Sequence, residues 1–114
     1  MAPEFAYMRR VTTKVDVFSF GIVMMEFFTR KRPTRITEED GVPLTLNQFV
    51  EKALDDGFYT ALSIIDPEIY LSGKVEEEKA IRVLQLALSC TKFTVEDRPT
   101  MKEVLSSLLK LTDV

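Results

Sequence analysis

The sequence predicts a small all-α domain, and three observations carry that prediction. Apolar residues recur at helical spacing in four main stretches, with no convincing strand alternation between them. Cap signals stand just ahead of three of these stretches, at Thr13–Asp16, Thr45–Gln48 and Thr100–Glu103. Pro, Gly and acidic residues collect between the stretches, as loops require. The chain has 114 residues, 46% hydrophobic and 29% charged, which suits one folded domain rather than a disordered segment.

The first helix is expected from about Lys14 to Arg30. Thr13 caps it with Asp16 three residues on, and Lys31, Arg32 and Pro33 close it. Its middle, Val17 to Phe28, is apolar nearly all round, which places it at the centre of a larger body. Gly21 costs about 1 kcal/mol inside a helix, so another element is expected to pack closely there. Residues 33–44 read as a loop carrying Glu38, Glu39 and Asp40.

Thr45-Leu46-Asn47-Gln48 is a capping box that opens a second helix to about Asp55. Leu46, Phe49, Val50 and Ala53 share one of its faces. A short third helix covers Phe58 to Ile64, and Asp66-Pro67 stops it. Glu76, Glu77 and Glu78 suit the first turn of a helix to about Cys90, where anions are favoured. Ile81, Leu84 and Leu88 form its apolar stripe. A polar loop from Thr91 to Pro99 leads to the last helix. There Met101, Val104, Leu105, Leu108 and Leu109 are expected to pack inward, with Lys102, Ser106 and Lys110 outward.

Composition excludes several functions. The chain has no His and one Cys, Cys90, so a His-based triad, a His metal site and an internal disulfide are ruled out. Cys90 lies in an apolar stretch and reads as a small buried hydrophobe. The apolar run at Val17–Phe28 is too short to span a bilayer, which takes about 20 residues. The opening Met1-Ala2-Pro3-Glu4 has no signal-peptide pattern. The net charge of −3 divides as +4 in residues 1–35, −9 in 36–78 and +2 in 79–114. The basic cluster Arg30, Lys31, Arg32 and Arg35 is short, borders an acidic loop and lacks interleaved aromatics. It therefore reads as a solvated helix end rather than a nucleic-acid patch.

Four segments, in order, resemble the C-terminal lobe of eukaryotic protein kinases. Ala2-Pro3-Glu4 is similar to the end of the activation segment. Asp16-Val17-Phe18-Ser19-Phe20-Gly21 resembles the start of the lobe's central helix, with Phe18 where many kinases carry Trp. Ala87-Leu88-Ser89-Cys90-Thr91 ends the apolar helix expected between them, and Arg98-Pro99-Thr100 resembles the motif before the last helix. The run Tyr7 to Gly21, with Met24-Met25-Glu26 and Thr29 to Thr34, looks like plant leucine-rich-repeat receptor kinases, in the branch that holds the flagellin-sensing receptor. Ile64-Ile65-Asp66-Pro67 fits the same group.

The resemblance implies the C-terminal helical part of a kinase C-lobe, a partial kinase domain covering 1–114. It implies a parent serine/threonine kinase in receptor and immune signalling, cytoplasmic and joined to an ectodomain by a single membrane span. The Gly-rich loop, the ATP-contacting Lys, the His-Arg-Asp loop and the Asp-Phe-Gly metal site are all missing from this sequence. The family's ATP and Mg²⁺ are therefore expected to find no site here, and no catalytic, cofactor or metal residue is assigned. The lack of these motifs makes the chain pseudokinase-like. Glu4 and Arg98 match the family's structural ion pair across 94 positions. Asp16 matches the central-helix anchor, with a local role as an anion at its helix start. Residues 45–55 match a region that kinases use for docking, so Leu46 and Phe49 stand between core and docking roles.

In whole kinases the central helix is covered by a helix and the catalytic loop. Apolar area is therefore expected to be exposed near Phe18, Phe20, Met24 and Phe27. That surface suits kinase or receptor partners, or self-association, and the alternative reading is a non-catalytic decoy or interaction module. No nucleic acid or direct membrane insertion is expected.

Overall fold

A computed structural model describes residues 3–32, 36–37, 43–71, 73 and 75–112, with side chains described in 14–32, 44–71, 73 and 75–111. The architecture is helical, as the sequence predicts. Helix α1 runs Pro3–Thr29, α2 Leu46–Asp55, α3 Phe58–Ser63, α4 Pro67–Leu71, α5 Glu77–Cys90 and α6 Met101–Thr112. A 3₁₀ turn at Val95–Asp97 precedes α6. Two short strands, β1 Ile36–Thr37 and β2 Pro43–Leu44, pair antiparallel between α1 and α2. Strands of two residues are too short to show alternation in a sequence.

Two of the cap signals form as expected. Thr45 N–H donates to Gln48 Oε1 at 3.0 Å, and Gln48 N–H donates to Thr45 Oγ1 at 3.3 Å. Thr100 and Glu103 exchange the same pair of bonds at 2.9 and 3.1 Å ahead of α6. Each box satisfies two backbone donors that a helix start leaves open.

The third signal is overridden. Helix α1 begins at Pro3, not near Lys14, so Thr13 and Asp16 lie within a continuous helix. Pro is favoured at the first helical position, and no Pro or Gly interrupts residues 4 to 20. Local cap chemistry at Thr13 therefore competes against an uninterrupted backbone ladder and loses. Asp66-Pro67 follows the end of α3 as expected, and it also starts the next element. The Asp66 carboxylate accepts from Glu68 N–H at 3.1 Å, and Pro67 opens α4.

The core has two parts. The larger joins α1, α2, α3 and α5 through Met25, Leu46, Val50, Ala61, Ile65, Leu84 and their buried neighbours. The smaller joins α1, α5 and α6 through Val17, Cys90 and Val104. Helix α5 approaches α1 at Gly21 as the sequence leads one to expect. A methyl group on Gly21 would stand 2.6 Å from the Ala87 carbonyl oxygen and 2.8 Å from Cys90 Cβ. Helix α6 seats only part of its apolar face. Val104 is buried and Leu108 half-buried, but Met101, Leu105 and Leu109 are exposed.

Candidate anchor and interaction face

Helix α1 carries an anchor near one end of its described side chains and an open face along its length. The anchor is Arg98, in the loop between α5 and α6. Its Nε donates to the Lys92 carbonyl at 2.8 Å and its Nη1 to the Lys14 carbonyl at 3.3 Å. The guanidinium lies 4.8 Å from the centre of the Phe18 ring, within cation–π range. Lys14 returns the contact, its ammonium donating to the Arg98 carbonyl. The two residues thus clasp each other across 84 positions and tie the start of α6 to α1. The sequence points to Arg98, and to Phe18 as a partner-surface residue, but not to their contact or to Lys14, because no spacing signal ties the three together. The Glu4 side chain lies outside the described residues. Asp16 is exposed in mid-helix, so it does not act as a first-turn anion.

The open face follows from the helical repeat. Val15, Ser19, Val23 and Phe27 are spaced four apart, share one side of α1 and are all exposed. Val17, Gly21 and Met25, also four apart, are buried on another side against α5. Of the four residues expected to be exposed, only Phe27 is, at 63%. Phe18, Phe20 and Met24 are half-buried because they flank the packed side. Leu46 is 1% exposed and belongs to the core. Phe49 is half-buried and carries the Lys31 ammonium 5.4 Å from its ring centre. Phe18, Ile22, Val23 and Leu46 line a shallow, largely apolar cavity of about 560 Å³ between α1 and the start of α2.

A second polar cluster closes the other end of α1. Arg30 takes a left-handed backbone conformation, φ 61°, and its Nε meets Asp66 Oδ2 at 2.6 Å. Asp66 N–H donates to the Phe28 carbonyl at 2.7 Å, satisfying one of the carbonyls that a helix end leaves open. The Glu68 backbone N–H, and then the Arg30 guanidinium, hold the Asp66 carboxyl below its ordinary pKa. Burial pushes the Cys90 thiol up, which keeps it in the unreactive form. Among the described residues, no group of three or more His, Cys, Asp or Glu side chains is placed to hold a metal ion. None of the described helices is long and apolar enough to cross a membrane.

A central helix packed through a glycine is thus clasped by an arginine from the loop before the last helix. The family model for protein tyrosine and serine/threonine kinases matches residues 1–108. The chain belongs to the protein kinase family. Its helical fold is that of the C-terminal part of a kinase domain. It is 38% identical over 109 residues to the LRR receptor-like serine/threonine-protein kinase GSO1 of Arabidopsis thaliana, covering 96% of this chain and 9% of that protein. To GSO2 of the same plant it is 37% identical over 113 residues, covering 97% and 9%. To the probable LRR receptor-like serine/threonine-protein kinase IRK, also from Arabidopsis thaliana, it is 40% identical over 109 residues, covering 95% and 11%. The chain thus spans about a tenth of the length of these curated relatives.

Proposed function

We propose that this chain, 1–114, is the helical C-lobe portion of a leucine-rich-repeat receptor-like serine/threonine kinase and transfers no phosphate by itself. The observation that carries the reading is the line Val15, Ser19, Val23 and Phe27. A helix buried on one side that exposes Val15, Val23 and Phe27 on the other is built to sit inside a larger domain. The sequence supports the catalytic half of the proposal. Phosphoryl transfer needs a phosphate cradle, Mg²⁺ ligands and a positioned base. This chain has no His-Arg-Asp, no Asp-Phe-Gly and no Gly-rich loop. Those groups would belong to the rest of such a kinase, on the cytoplasmic side of the plasma membrane. The branch that holds the flagellin-sensing receptor, with its immune signalling, is the parent we favour.

The test is direct. Purified chain, incubated with ATP, magnesium and a generic protein substrate, is expected to transfer no labelled phosphate. It should also melt at the same temperature with and without ATP and magnesium. Transfer that persists after contaminating kinases are removed would overturn the proposal. The exposed Phe27 line also suits the alternative, a non-catalytic interaction or decoy module that binds kinase or receptor partners or a second copy of itself. Cooperative melting of the lone chain as a monomer would favour the module. Aggregation relieved only by supplying the upstream kinase portion in trans would favour the C-lobe reading.

A further inference from the structure

The loop between α5 and α6 offers a hydroxyl that no described part of the fold uses. Residues 92–97 are all exposed, and Phe93, just before Thr94, is 98% exposed. Thr94 has an extended backbone, φ −81° and ψ 122°, immediately ahead of the 3₁₀ turn. Its carbonyl accepts from Asp97 N–H at 3.0 Å, but its hydroxyl makes no hydrogen bond among the described residues. The other described Ser and Thr side chains differ. The hydroxyls of Thr29, Thr45, Ser63, Ser89, Thr91 and Thr100 are engaged in hydrogen bonds. Ser19, Thr60, Ser106 and Ser107 lie within helices, whose backbone must open before an enzyme draws the side chain into a cleft. Thr94 is the described hydroxyl that an enzyme reaches at least cost.

The neighbouring residues supply a charge pattern. Glu96 and Asp97 follow Thr94 at the second and third positions, and both are exposed. An enzyme cleft with cationic side chains beside its phosphoryl site pairs with such carboxylates, and the pairing selects which hydroxyl is presented. We propose that Thr94 is a phosphorylation site for a protein kinase that selects acidic residues after the acceptor. The step transfers the γ-phosphoryl group of ATP. A bond forms between Thr94 Oγ1 and phosphorus, and the hydroxyl proton goes to the kinase's base. The bond from phosphorus to the ADP oxygen breaks, and its electron pair leaves with ADP. The product carries about two added negative charges on the loop whose Arg98 clasps α1. The modification is made by another enzyme, so the inference holds whether the chain acts inside a kinase or alone.

The experiment incubates the full chain with casein kinase II, an acid-directed protein kinase, and ATP with magnesium. Tandem mass spectrometry then locates the phosphate. Trypsin releases Thr94 in the peptide Phe93–Lys102, apart from Thr37, which precedes Glu38, Glu39 and Asp40. Fragmentation separates Thr94 from Thr100 within that peptide. Phosphate is expected on Thr94. T94A should abolish it there, and T94S should restore it. E96Q/D97N should slow labelling of Thr94 about tenfold through the loss of two exposed ion pairs with the kinase. All three side chains are exposed, so these variants should melt like the parent. Phosphate confined to other sites, Thr37 included, would overturn the proposal. So would labelling of Thr94 in E96Q/D97N at the parent's rate, which would mean that the acidic residues are not read.

Discussion

Replacing Gly21 with Ala tests the packing at the centre of the molecule. In an exposed helix the change would gain about 1 kcal/mol, because Ala is the better helix former. Here the added methyl would stand 2.6 Å from the Ala87 carbonyl oxygen, 2.8 Å from Cys90 Cβ and 3.0 Å from Thr91 Cγ2. The first of these is backbone, so it cannot rotate away, and α5 itself must shift. Overpacking of this kind costs about 1–3 kcal/mol. With a rigid carbonyl as the nearest atom, the upper part of that range applies. Subtracting the propensity gain leaves a net loss of about 1–2 kcal/mol. Urea unfolding of the 114-residue chain should show it, and the melting temperature should fall by about 5–10 °C. Ser106→Ala, at an exposed position of α6, provides the contrast and should hold or raise stability slightly. A Gly21→Ala chain as stable as the parent would refute the close approach of α5 to α1.

Two further outcomes follow from the polar contacts. At position 30 the left-handed backbone should reverse the usual order of Gly and Ala: R30G should be more stable than R30A by about 1 kcal/mol. Both variants lose the Asp66 contact, so that loss cancels in a chemical-denaturation comparison. An Ala variant equal to or better than the Gly variant would contradict the conformation of Arg30. The second outcome concerns acid. Asp66 and Glu103 are both held below their ordinary pKa values of 3.8 and 4.5, Glu103 by the Thr100 backbone N–H and then its hydroxyl. Each binds fewer protons folded than unfolded, so its contribution is present above the ordinary value and is lost as pH falls through the folded one. Parent stability should therefore drop as pH falls below about 5, and D66N/E103Q should drop less steeply. Identical acid slopes in pH-dependent melts would rule this out.

The sequence made much of this fold legible wherever the signal was local. Thr45–Gln48 and Thr100–Glu103 are short-range capping boxes, and both form. Gly21 stood out because a glycine in an apolar helix needs a reason, and α5 supplies it. The side of α1 left open was not legible. A helix that is apolar nearly all round has no amphipathic contrast, so its bulkiest residues drew attention where the four-residue repeat decides exposure. Thr13–Asp16 misled for the opposite reason, as a correct local motif inside a longer helix. In α6, periodicity identified the apolar stripe but could not report that Val104 is buried while Met101, Leu105 and Leu109 stay exposed.

The pairing of α1 with α5 also sets an order of events during synthesis. Helix α1 leaves the ribosome before α5, yet α5, which covers Val17, Gly21 and Met25, begins only at Glu77. At about 5–20 residues per second, the intervening chain takes about 2–10 seconds to emerge. For that interval Met25 can meet only α2 and α3, and Val17 and Gly21 lack the α5 side of their packing. Contacts that close so late make folding slow and leave the nascent chain open to association with whatever binds apolar helices first. Chaperone demand during translation is thus a consequence of placing α5 so far downstream of the helix it covers.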